Sequence, residues 1–252
     1  MAVRMNDFDG LVAIVTGGAS GIGAATAALL LSRGAKAAVL DQSYSATEHG
    51  NLLRVPCDVA DTESVNAAVA VVAATFGGID VLVNNAGIGA TGDVAANDDV
   101  EWLHVLSVNV IGIARVTRAA LPWLRASAHA VIVNTCSVVA NVGVPQRALY
   151  AASKGAVQAL TLAMAADHVT ERIRVNGVTP GTADTPWVER LLAQASDAQA
   201  AATALRARQP MGRLVTADEV AQAIAYLASP LAGSTTGTLL SVDGGMAGIR
   251  VG

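Results

Sequence analysis

Short apolar runs rich in valine, isoleucine and leucine alternate along the chain with longer segments whose apolar residues recur at helical spacing. These runs lack the polar alternation of half-exposed strands, which predicts strands buried on both faces. Strands separated by helices predict a parallel sheet. The seven predicted strands lie at 11–15, 37–40, 52–55, 80–83, 130–133, 173–178 and 239–242. We therefore expect one doubly wound α/β domain over residues 1–252, with a seven-stranded parallel sheet and helices on both faces.

The predicted helices follow the strands in order, and one segment interrupts that order. Helical spacing covers 22–32, 62–76, 100–124, 150–169 and 217–227. The segment 179–216 is rich in Ala, Gln and Arg and predicts one or two inserted helices. An insertion near the carboxyl ends of the strands would lie over the binding crevice of such a sheet. We expect residues 182–214 to form a lid over a substrate.

Composition excludes several classes of partner. The net charge is -4 and the sequence has no basic cluster with interleaved aromatic residues, so nucleic acid is not expected to bind. The opening MAVRMNDFDG has no apolar core of signal-peptide length, and polar residues interrupt the long charge-free stretches, so we expect a cytoplasmic protein without a membrane span. No ligand cluster suggests a metal. Cys57 and Cys136 follow strands and are expected to be buried, reduced thiols.

A glycine-rich turn, Thr16–Gly23, directly follows the first strand and opens the first helix. Glycine permits positive φ and lets backbone N–H groups approach a pyrophosphate, while the helix N-terminus adds partial positive charge. This pattern is typical of a Rossmann dinucleotide site, although a tight strand-to-helix turn also needs glycine for structural reasons. The expected cofactor-binding residues here are Gly17, Ser20, Gly21, Ile22 and Gly23.

Polar residues after the next three strands extend the predicted cofactor site. Asp41 ends the second strand, where a carboxylate would bind both ribose hydroxyls and repel a 2′-phosphate, which favours NAD over NADP. Asp58 and Val59 could contact the adenine, although Asp58 also suits a turn or helix cap. Asn84 to Gly87 follow the fourth strand, and a structural role is at least as well supported there as contact with the cofactor. The candidate contacts in that turn are Asn85, Ala86 and Gly87.

A second motif, Tyr150-Ala-Ala-Ser-Lys154, predicts the chemical centre. Residues four apart lie on one face of a helix, and an ammonium close to a tyrosine favours its phenolate form. The chain has only two lysines, which makes a chance match less probable, although an ordinary surface pair has the same spacing. Ser137 follows the fifth strand and could bond a substrate oxygen. Asn109 lies within an apolar helix and must find partners, which a water chain towards Lys154 would supply.

Together these motifs resemble the short-chain dehydrogenase/reductase family along essentially the whole chain. The resemblance implies a catalytic tetrad of Asn109, Ser137, Tyr150 and Lys154, with Tyr150 and Lys154 also touching the cofactor. It implies that Pro180, Gly181, Thr182 and Thr185 lie near the nicotinamide, and it implies a homotetramer. Hydride transfer between a secondary alcohol and NAD⁺ would follow, in a direction that the sequence does not specify. A protein that senses NAD(H) without turnover is the alternative of another class.

Arginines suggest the nature of the substrate. Arg147, Arg190 and Arg208 fall in segments that such a fold places around the substrate, and guanidinium groups suit carboxylates, although solvent-exposed arginines would have the same pattern. The lid resembles 3-hydroxybutyrate and sugar-acid dehydrogenases, with Arg190 offset by one residue, and Trp187 could cover a small substrate. We expect a 2-keto-3-deoxy sugar acid such as 2-keto-3-deoxy-L-fuconate. A neutral sugar or a small hydroxy acid is the alternative.

Overall fold

The central sheet confirms the predicted α/β architecture. The computed structural model describes residues 6–193 and 197–251, with the side chains of 190 and 191 left out. Eight strands form the sheet in the order β10-β7-β6-β5-β1-β2-β4-β3. All seven predicted strands are present and mutually parallel. Their bounds are β1 Val12–Thr16, β2 Lys36–Asp41, β4 Leu52–Pro56, β5 Val81–Asn84, β6 Val131–Thr135, β7 Arg174–Pro180 and β10 Leu239–Val242.

The sheet contains one strand more than the seven predicted. The eighth strand, β3 (Thr47–His49), lies at the sheet edge and pairs antiparallel with β4. All three of its residues are exposed, so it carries none of the apolar pattern by which the other strands were found. The sheet is therefore mostly parallel, with one short antiparallel edge strand.

Helices cover both faces of the sheet, and each face has its own apolar core. On one face, α1 (Gly21–Ser32) and α8 (Ala217–Ala228) bury residues such as Leu30 and Ile224 against the strands. On the other, α2 (Thr62–Phe76), α4 (Gly112–Ala126) and α5 (Ala148–His168) pack around Ile132. The alternation of strand residues between these two cores explains why the strands are apolar on both sides.

The long predicted helix 100–124 is present and contains a π-helical turn. It consists of α3 (Asp99–Leu106), a π-helical turn at Ser107–Ile111 and α4. By length and composition the stretch Asp99–Ala126 could cross a membrane, and no other helix of the described residues meets that criterion. In the structure its apolar face packs in the core, where Val105, Val116 and Leu124 are almost fully buried. This burial is typical of a core helix.

The predicted lid contains two helices, as the sequence suggested. They are α6 (Pro186–Ala193) and α7 (Ala198–Ala207). A small parallel sheet that was not predicted closes the base of this segment, where β8 (Ala183–Asp184) pairs with β9 (Val215–Thr216). The two ends of this segment are thereby joined beside the carboxyl end of β7.

Candidate active site

One cavity lies beyond the carboxyl ends of the strands and gathers most of the predicted site. It encloses about 1020 Å³ of empty space, including open solvent at its mouth. Its polar and charged lining comes from the strand ends, from α5 and from the lid. The predicted residues that line it are Ile22, Asn85, Gly87, Ser137, Arg147, Tyr150, Lys154, Pro180, Gly181, Thr182, Thr185, Trp187 and Arg208.

The glycine-rich turn is tightly packed and leaves no room for larger side chains. Gly17 has a φ of +64°, and a Cβ there would lie 2.8 Å from the Cα of Ala86. A Cβ on Gly23 would lie 2.4 Å from the carbonyl oxygen of Gly17. The Nδ2 of Asn85 donates to the carbonyl oxygens of Thr16 and Gly17, at 3.0 and 3.1 Å. Asn85, which follows β5, therefore fixes the glycine-rich turn, and this is a structural role of the kind expected for the segment from Asn84 to Gly87.

The N-terminus of α1 differs from those of several other helices. Asp61, Asp98, Asp197 and Thr216 cap α2, α3, α7 and α8 by accepting backbone N–H bonds. Ser20, at the start of α1, makes no such bond, and the first turn of α1 contains no acidic residue. Gly21 there has a φ of +54°. The unpaired N–H groups and the positive end of α1 are therefore available to an anionic group.

Asp41 lies beside this turn, as its place at the end of β2 predicts. Its Oδ2 accepts the backbone N–H of Ala19 at 3.1 Å, and its Oδ1 accepts bonds from the backbone and hydroxyl of Ser43. A carboxylate oxygen can accept more than one bond, so these contacts orient Asp41 and leave acceptor capacity. The position suits two hydroxyl groups of a ribose.

Asp58 and Val59, the residues expected beside the adenine, already make contacts within the protein. The Oδ1 of Asp58 accepts the N–H of Ala60 at 2.8 Å, which is the turn role considered for it. Val59 is 8% exposed and packs near Gly112, whose added Cβ would lie 3.1 Å from the Val59 side chain. Neither residue lines the main cavity. Both lie at the end of β4, one strand beyond Asp41.

Tyr150, Lys154 and Ser137 meet in the cavity. Tyr150 and Lys154 lie one turn apart on α5, and the Lys154 Nζ is 5.9 Å from the centre of the Tyr150 ring. Lys154 is 4% exposed, and its Nζ donates to the carbonyl oxygen of Thr135 at 2.8 Å. Ser137 follows β6, and its Oγ accepts the N–H of Val139 at 3.4 Å. Its hydroxyl proton remains free to bond a substrate oxygen.

Asn109 is fully buried in the π-helical turn, behind the cavity wall. Its Oδ1 accepts the N–H of Ile88 and its Nδ2 donates to the carbonyl oxygen of Ile88, at 2.8 and 2.9 Å. The Nδ2 also donates to the Ser153 hydroxyl at 3.0 Å. A Cβ added at Gly87 would lie 3.2 Å from the Asn109 Oδ1 and 3.5 Å from the Lys154 Nζ. Asn109 therefore holds the strand-end loop beside the lysine.

Arg147 is fixed at the start of α5 with its guanidinium in the cavity wall. Its Nη1 donates to the carbonyl oxygen of Ala90 at 3.0 Å and to the hydroxyl of Thr91 at 3.2 Å. The guanidinium carbon lies 5.7 Å from the Trp187 ring centre. Burial, opposed by Tyr150 and aided by the charge of Arg208, lowers the pKa of Arg147. An anion beside these two arginines would offset both the burial and their repulsion.

The lid contributes further predicted residues. The carbonyl oxygen of Thr182 accepts the N–H of Val215 at 3.2 Å, and the Thr185 side chain lies against Gly21, where an added Cβ would be 3.2 Å away. Arg208 caps the C-terminus of α7 and lines the cavity. The backbone of Arg190 lies in α6, and its side chain lies outside the described residues.

Several site residues were missed by the sequence analysis. Gly89 is required by Trp187, because a Cβ there would lie 2.5 Å from the indole Cζ2. Met246, near the C-terminus, also lines the cavity. Gln209 is 1% exposed, and its Nε2 donates to the carbonyl oxygens of Thr182 and Arg213, at 3.3 and 2.9 Å. The only signal for Gln209 was its position directly after Arg208.

Comparison with known proteins assigns the family. The sequence model of a family described as Enoyl-(Acyl carrier protein) reductase matches residues 17–247. A relative named Cis-4-hydroxycyclohexanecarboxylate dehydrogenase, from Sinomonas cyclohexanicum, is 42% identical over 93% of this chain and 95% of its own. The chain belongs to the short-chain dehydrogenase/reductase family.

Two further relatives of this short-chain dehydrogenase/reductase carry different names. A 2,5-dichloro-2,5-cyclohexadiene-1,4-diol dehydrogenase from Sphingobium indicum is 38% identical over 97% of this chain and 100% of its own. The structure of the Thermoplasma acidophilum aldohexose dehydrogenase in ligand-free form matches with a TM-score of 0.90 and 34% identity, over 99% of each chain. The chain is thus an oxidoreductase that acts on secondary alcohols with a nicotinamide cofactor.

Proposed function

We propose that this protein is an NAD(H)-dependent dehydrogenase of a hydroxy acid, with the substrate carboxylate held by Arg147 and Arg208. The observation that carries the proposal is the charge of the cavity. Its charged lining consists of Arg147, Lys154 and Arg208, and the described lining contains no Asp or Glu. A cavity of one sign attracts ligands of the other, and arginine binds carboxylates with paired hydrogen bonds.

The residues around α1 fit a dinucleotide and favour NAD. The close-packed glycines would admit a pyrophosphate to the uncapped N-terminus of α1, at Gly17, Ser20, Gly21, Ile22 and Gly23. Asp41 would accept the ribose hydroxyls and repel a 2′-phosphate. Asp58, Val59, Asn85, Ala86 and Gly87 would line the adenosine half, and Pro180, Gly181, Thr182 and Thr185 the nicotinamide half. Asp41→Ala should lower the ratio of kcat/KM for NAD⁺ to kcat/KM for NADP⁺. An unchanged ratio would refute the role of Asp41 in cofactor preference.

The polar groups of the cavity suit oxidation of a secondary alcohol. We assign Tyr150 as the base that removes the hydroxyl proton, with Ser137 donating a hydrogen bond to the same oxygen as it becomes a carbonyl. The Lys154 ammonium, 5.9 Å from the centre of the Tyr150 ring, would stabilise negative charge on the phenolate oxygen of Tyr150. Asn109 holds the loop beside Lys154. When bound, the nicotinamide supplies the acceptor for the carbinol hydride. In reduction Tyr150 returns the proton.

Arg147 has the geometry of a carboxylate ligand. The Ala90 and Thr91 contacts use only its Nη1, so its Nε and Nη2 have no protein partner among the described residues. A cation–π contact with Trp187, 5.7 Å from the guanidinium carbon to the ring centre, adds to this positioning. A fixed guanidinium with two donors available is suited to a bidentate bond with a carboxylate. Arg208, which also lines the cavity, would neutralise the same charge.

The cavity walls favour a substrate body that is mostly hydrocarbon. Apolar side chains cover the space around the polar groups, namely Ile88, Val138, Val139, Val144, Val188, Leu205 and Met246. A 2-keto-3-deoxy sugar acid, our expectation from the sequence, carries several hydroxyls, and those that met these apolar walls would lack partners, which is costly. The name of the Sinomonas relative describes a ring that carries one hydroxyl and one carboxylate. We therefore place a cyclic or short-chain hydroxy acid ahead of the sugar acid.

Three broader features of the proposal concern the whole protein. We propose that α6 and α7 act as the lid over the substrate, that the protein acts in the cytoplasm and that it assembles as a homotetramer. Exposed apolar side chains on α4 and α5, such as Trp123 and Leu162, support assembly. Size-exclusion chromatography with light scattering tests the tetramer, which a monomeric mass would refute.

A substrate panel tests the proposed function. Reduction of NAD⁺ is followed with cis-4-hydroxycyclohexanecarboxylate, 3-hydroxybutyrate, 2-keto-3-deoxy-L-fuconate, an aldohexose and a cyclohexanediol. We expect turnover of acids, and a loss of about tenfold in kcat/KM in Arg208→Ala, the scale of one charged contact. Arg206→Ala is the matched control, because Arg206 lies on α7 outside the cavity. Turnover of the neutral alcohols alone would overturn the carboxylate assignment.

Loss of turnover in Tyr150→Phe separates an enzyme from a sensor. The variant should still bind NADH, because the phenyl ring fills the same space, but it cannot exchange a proton with the substrate. NADH binding is measured by fluorescence and turnover by the panel above. NADH binding by the wild type with no turnover of any alcohol or carbonyl compound would instead favour the non-catalytic NAD(H)-sensing alternative.

A further inference from the structure

A second cavity, here called the outer groove, adjoins the active-site cavity. The loop Val142–Pro145, the C-terminal end of α7 and the C-terminal residues from Met246 to Val251 form its walls. It encloses about 810 Å³ of empty space, including open solvent. Val144, Arg208 and Met246 line both cavities. The two spaces therefore meet at these three side chains, and a ligand longer than the active-site cavity would extend into the outer groove.

The outer groove carries the same sign of charge as the active site. Its charged lining is Arg208 and Arg250, and the described lining contains no carboxylate. Neither guanidinium lies within ion-pair distance of an acidic side chain among the described residues. The Arg250 Nη1 donates to the carbonyl oxygen of Ile249 at 2.9 Å, which holds the side chain against its own backbone. Its other donors remain available to an anion.

The rest of the outer groove is apolar. Val142, Val144, Pro145, Pro210 and Ile249 form its walls. Apolar walls suit methylene groups, while two guanidiniums at one site suit an oxyanion. Hydrogen bonds also fix the turn that precedes Arg250. Asp243, which is 6% exposed, accepts the N–H groups of Gly245 and Ala247, at 2.9 and 3.1 Å. The turn from Asp243 to Ala247 is thereby fixed beside the cavity.

We propose that the outer groove is a second substrate subsite, which binds a distal oxyanion of an extended hydroxy acid between Arg208 and Arg250. Methylene groups of the substrate pass Val144 and Met246. The first carboxylate stays at Arg147, and Arg208, which lines both cavities, is shared between the two anionic groups. The inference rests on the proposed function for the orientation of the substrate. It defines a narrower substrate class, namely hydroxy acids with a second anionic group several carbons beyond the first.

A matched pair of substrates tests this subsite. 3-Hydroxyadipate and 3-hydroxyhexanoate have the same number of carbons and differ in the distal carboxylate. We expect the diacid to have a kcat/KM roughly three- to tenfold higher, since both arginines are partly solvent-screened. Arg250→Ala should remove this preference by lowering kcat/KM for the diacid towards that for 3-hydroxyhexanoate, and Arg206→Ala should retain it. A phosphorylated hydroxy acid with the same spacing shows whether phosphate is accepted in place of the carboxylate.

Binding without turnover separates this proposal from the proposed function. The affinities of adipate and hexanoate are measured by calorimetry with the NADH-loaded protein. Tighter adipate binding that is lost in Arg250→Ala would support the outer groove even if neither hydroxy acid were oxidised. Equal affinities for adipate and hexanoate, or an adipate affinity that Arg250→Ala leaves unchanged, would overturn the proposed subsite. Turnover of a monoacid would still support the proposed function in that case. A change of oligomeric mass in Arg250→Ala with adipate binding unchanged would also overturn the proposed subsite, by assigning the groove to a second copy of the chain.

Discussion

The position of Arg147 depends on nearby residues, and Gly89 acts on it indirectly, through Trp187. Gly89 lets the Trp187 ring approach the strand-end loop, and Trp187 in turn covers the Arg147 guanidinium. The backbone carbonyl of Ala90, the next residue, accepts a bond from the same guanidinium. Two consecutive loop residues therefore set where a substrate anion would bind.

Gly89→Ala should weaken substrate binding more than it slows the chemical step. The added methyl group would displace the Trp187 ring and weaken its cation–π contact with Arg147. We expect KM for a hydroxy acid to rise by about tenfold, within the range for loss of one charged contact, with kcat changed less. Steady-state kinetics measure both. Gly78→Ala is the control, because a Cβ there meets nothing within 4 Å. An unchanged KM in Gly89→Ala would show that Trp187 does not position Arg147.

At the scale of elements, the helix ends around the site fall into two kinds. Ser20 leaves the N-terminus of α1 without a side-chain cap, whereas α8 has a complete capping box. The Thr216 hydroxyl accepts the N–H of Glu219 at 3.1 Å, and the Glu219 carboxylate accepts the N–H of Thr216 at 2.8 Å. The capped helix stabilises the fold, and the uncapped one is open to a ligand.

Thr216→Ala should destabilise the protein by about 1 kcal/mol, the usual cost of an N-cap, and Thr216→Ser should not. The hydrogen bond from Arg213 lowers the pKa of Glu219 from 4.5 to about 2. The stability that ionised Glu219 contributes to the fold is therefore present above pH 4.5 and is lost as the pH falls towards 2. Urea unfolding of both variants at neutral pH tests the cap. Equal stability of Thr216→Ala and the wild type would contradict it.

At the scale of the whole molecule, burial of two thiols links stability to alkaline pH. Cys57 and Cys136 lie beside β4 and β6 in the same apolar core, and burial raises the pKa of each thiol from 9.0 to about 11. Below pH 9 the thiols are neutral in both the folded and the unfolded chain. As the pH rises from 9 to 11 the unfolded chain loses these protons first, so the free energy of unfolding falls.

The double variant Cys57→Ala/Cys136→Ala isolates this effect from the other groups that titrate at high pH. It should be less stable than the wild type at pH 8, because two buried side chains become smaller. Between pH 9 and 11 its free energy of unfolding should fall less steeply than that of the wild type. Urea unfolding across this range provides the comparison. Parallel curves would mean that the thiols ionise alike in both states.

Sequence alone predicted what depends on periodicity and local motifs, and missed what depends on contacts between distant residues. The seven parallel strands and the residues of the two motifs were predicted because burial on both faces and tight turns leave local patterns. The strand β3 is polar and the π-helical turn that carries Asn109 has helical spacing, so neither had a signal. Gly89, Gln209 and Met246 join the site through neighbours that are far away in the sequence.

One matched pair of substrates tests the central claim most directly. cis-4-Hydroxycyclohexanecarboxylate and its carboxamide have the same ring and hydroxyl, and they differ in charge at the end assigned to Arg147 and Arg208. The measurement is the ratio of kcat/KM for the acid to that for the amide, with NAD⁺ as cofactor. The charge of the cavity predicts a ratio of about ten or more, which falls towards one in Arg208→Ala. A ratio near one in the wild-type enzyme would contradict it.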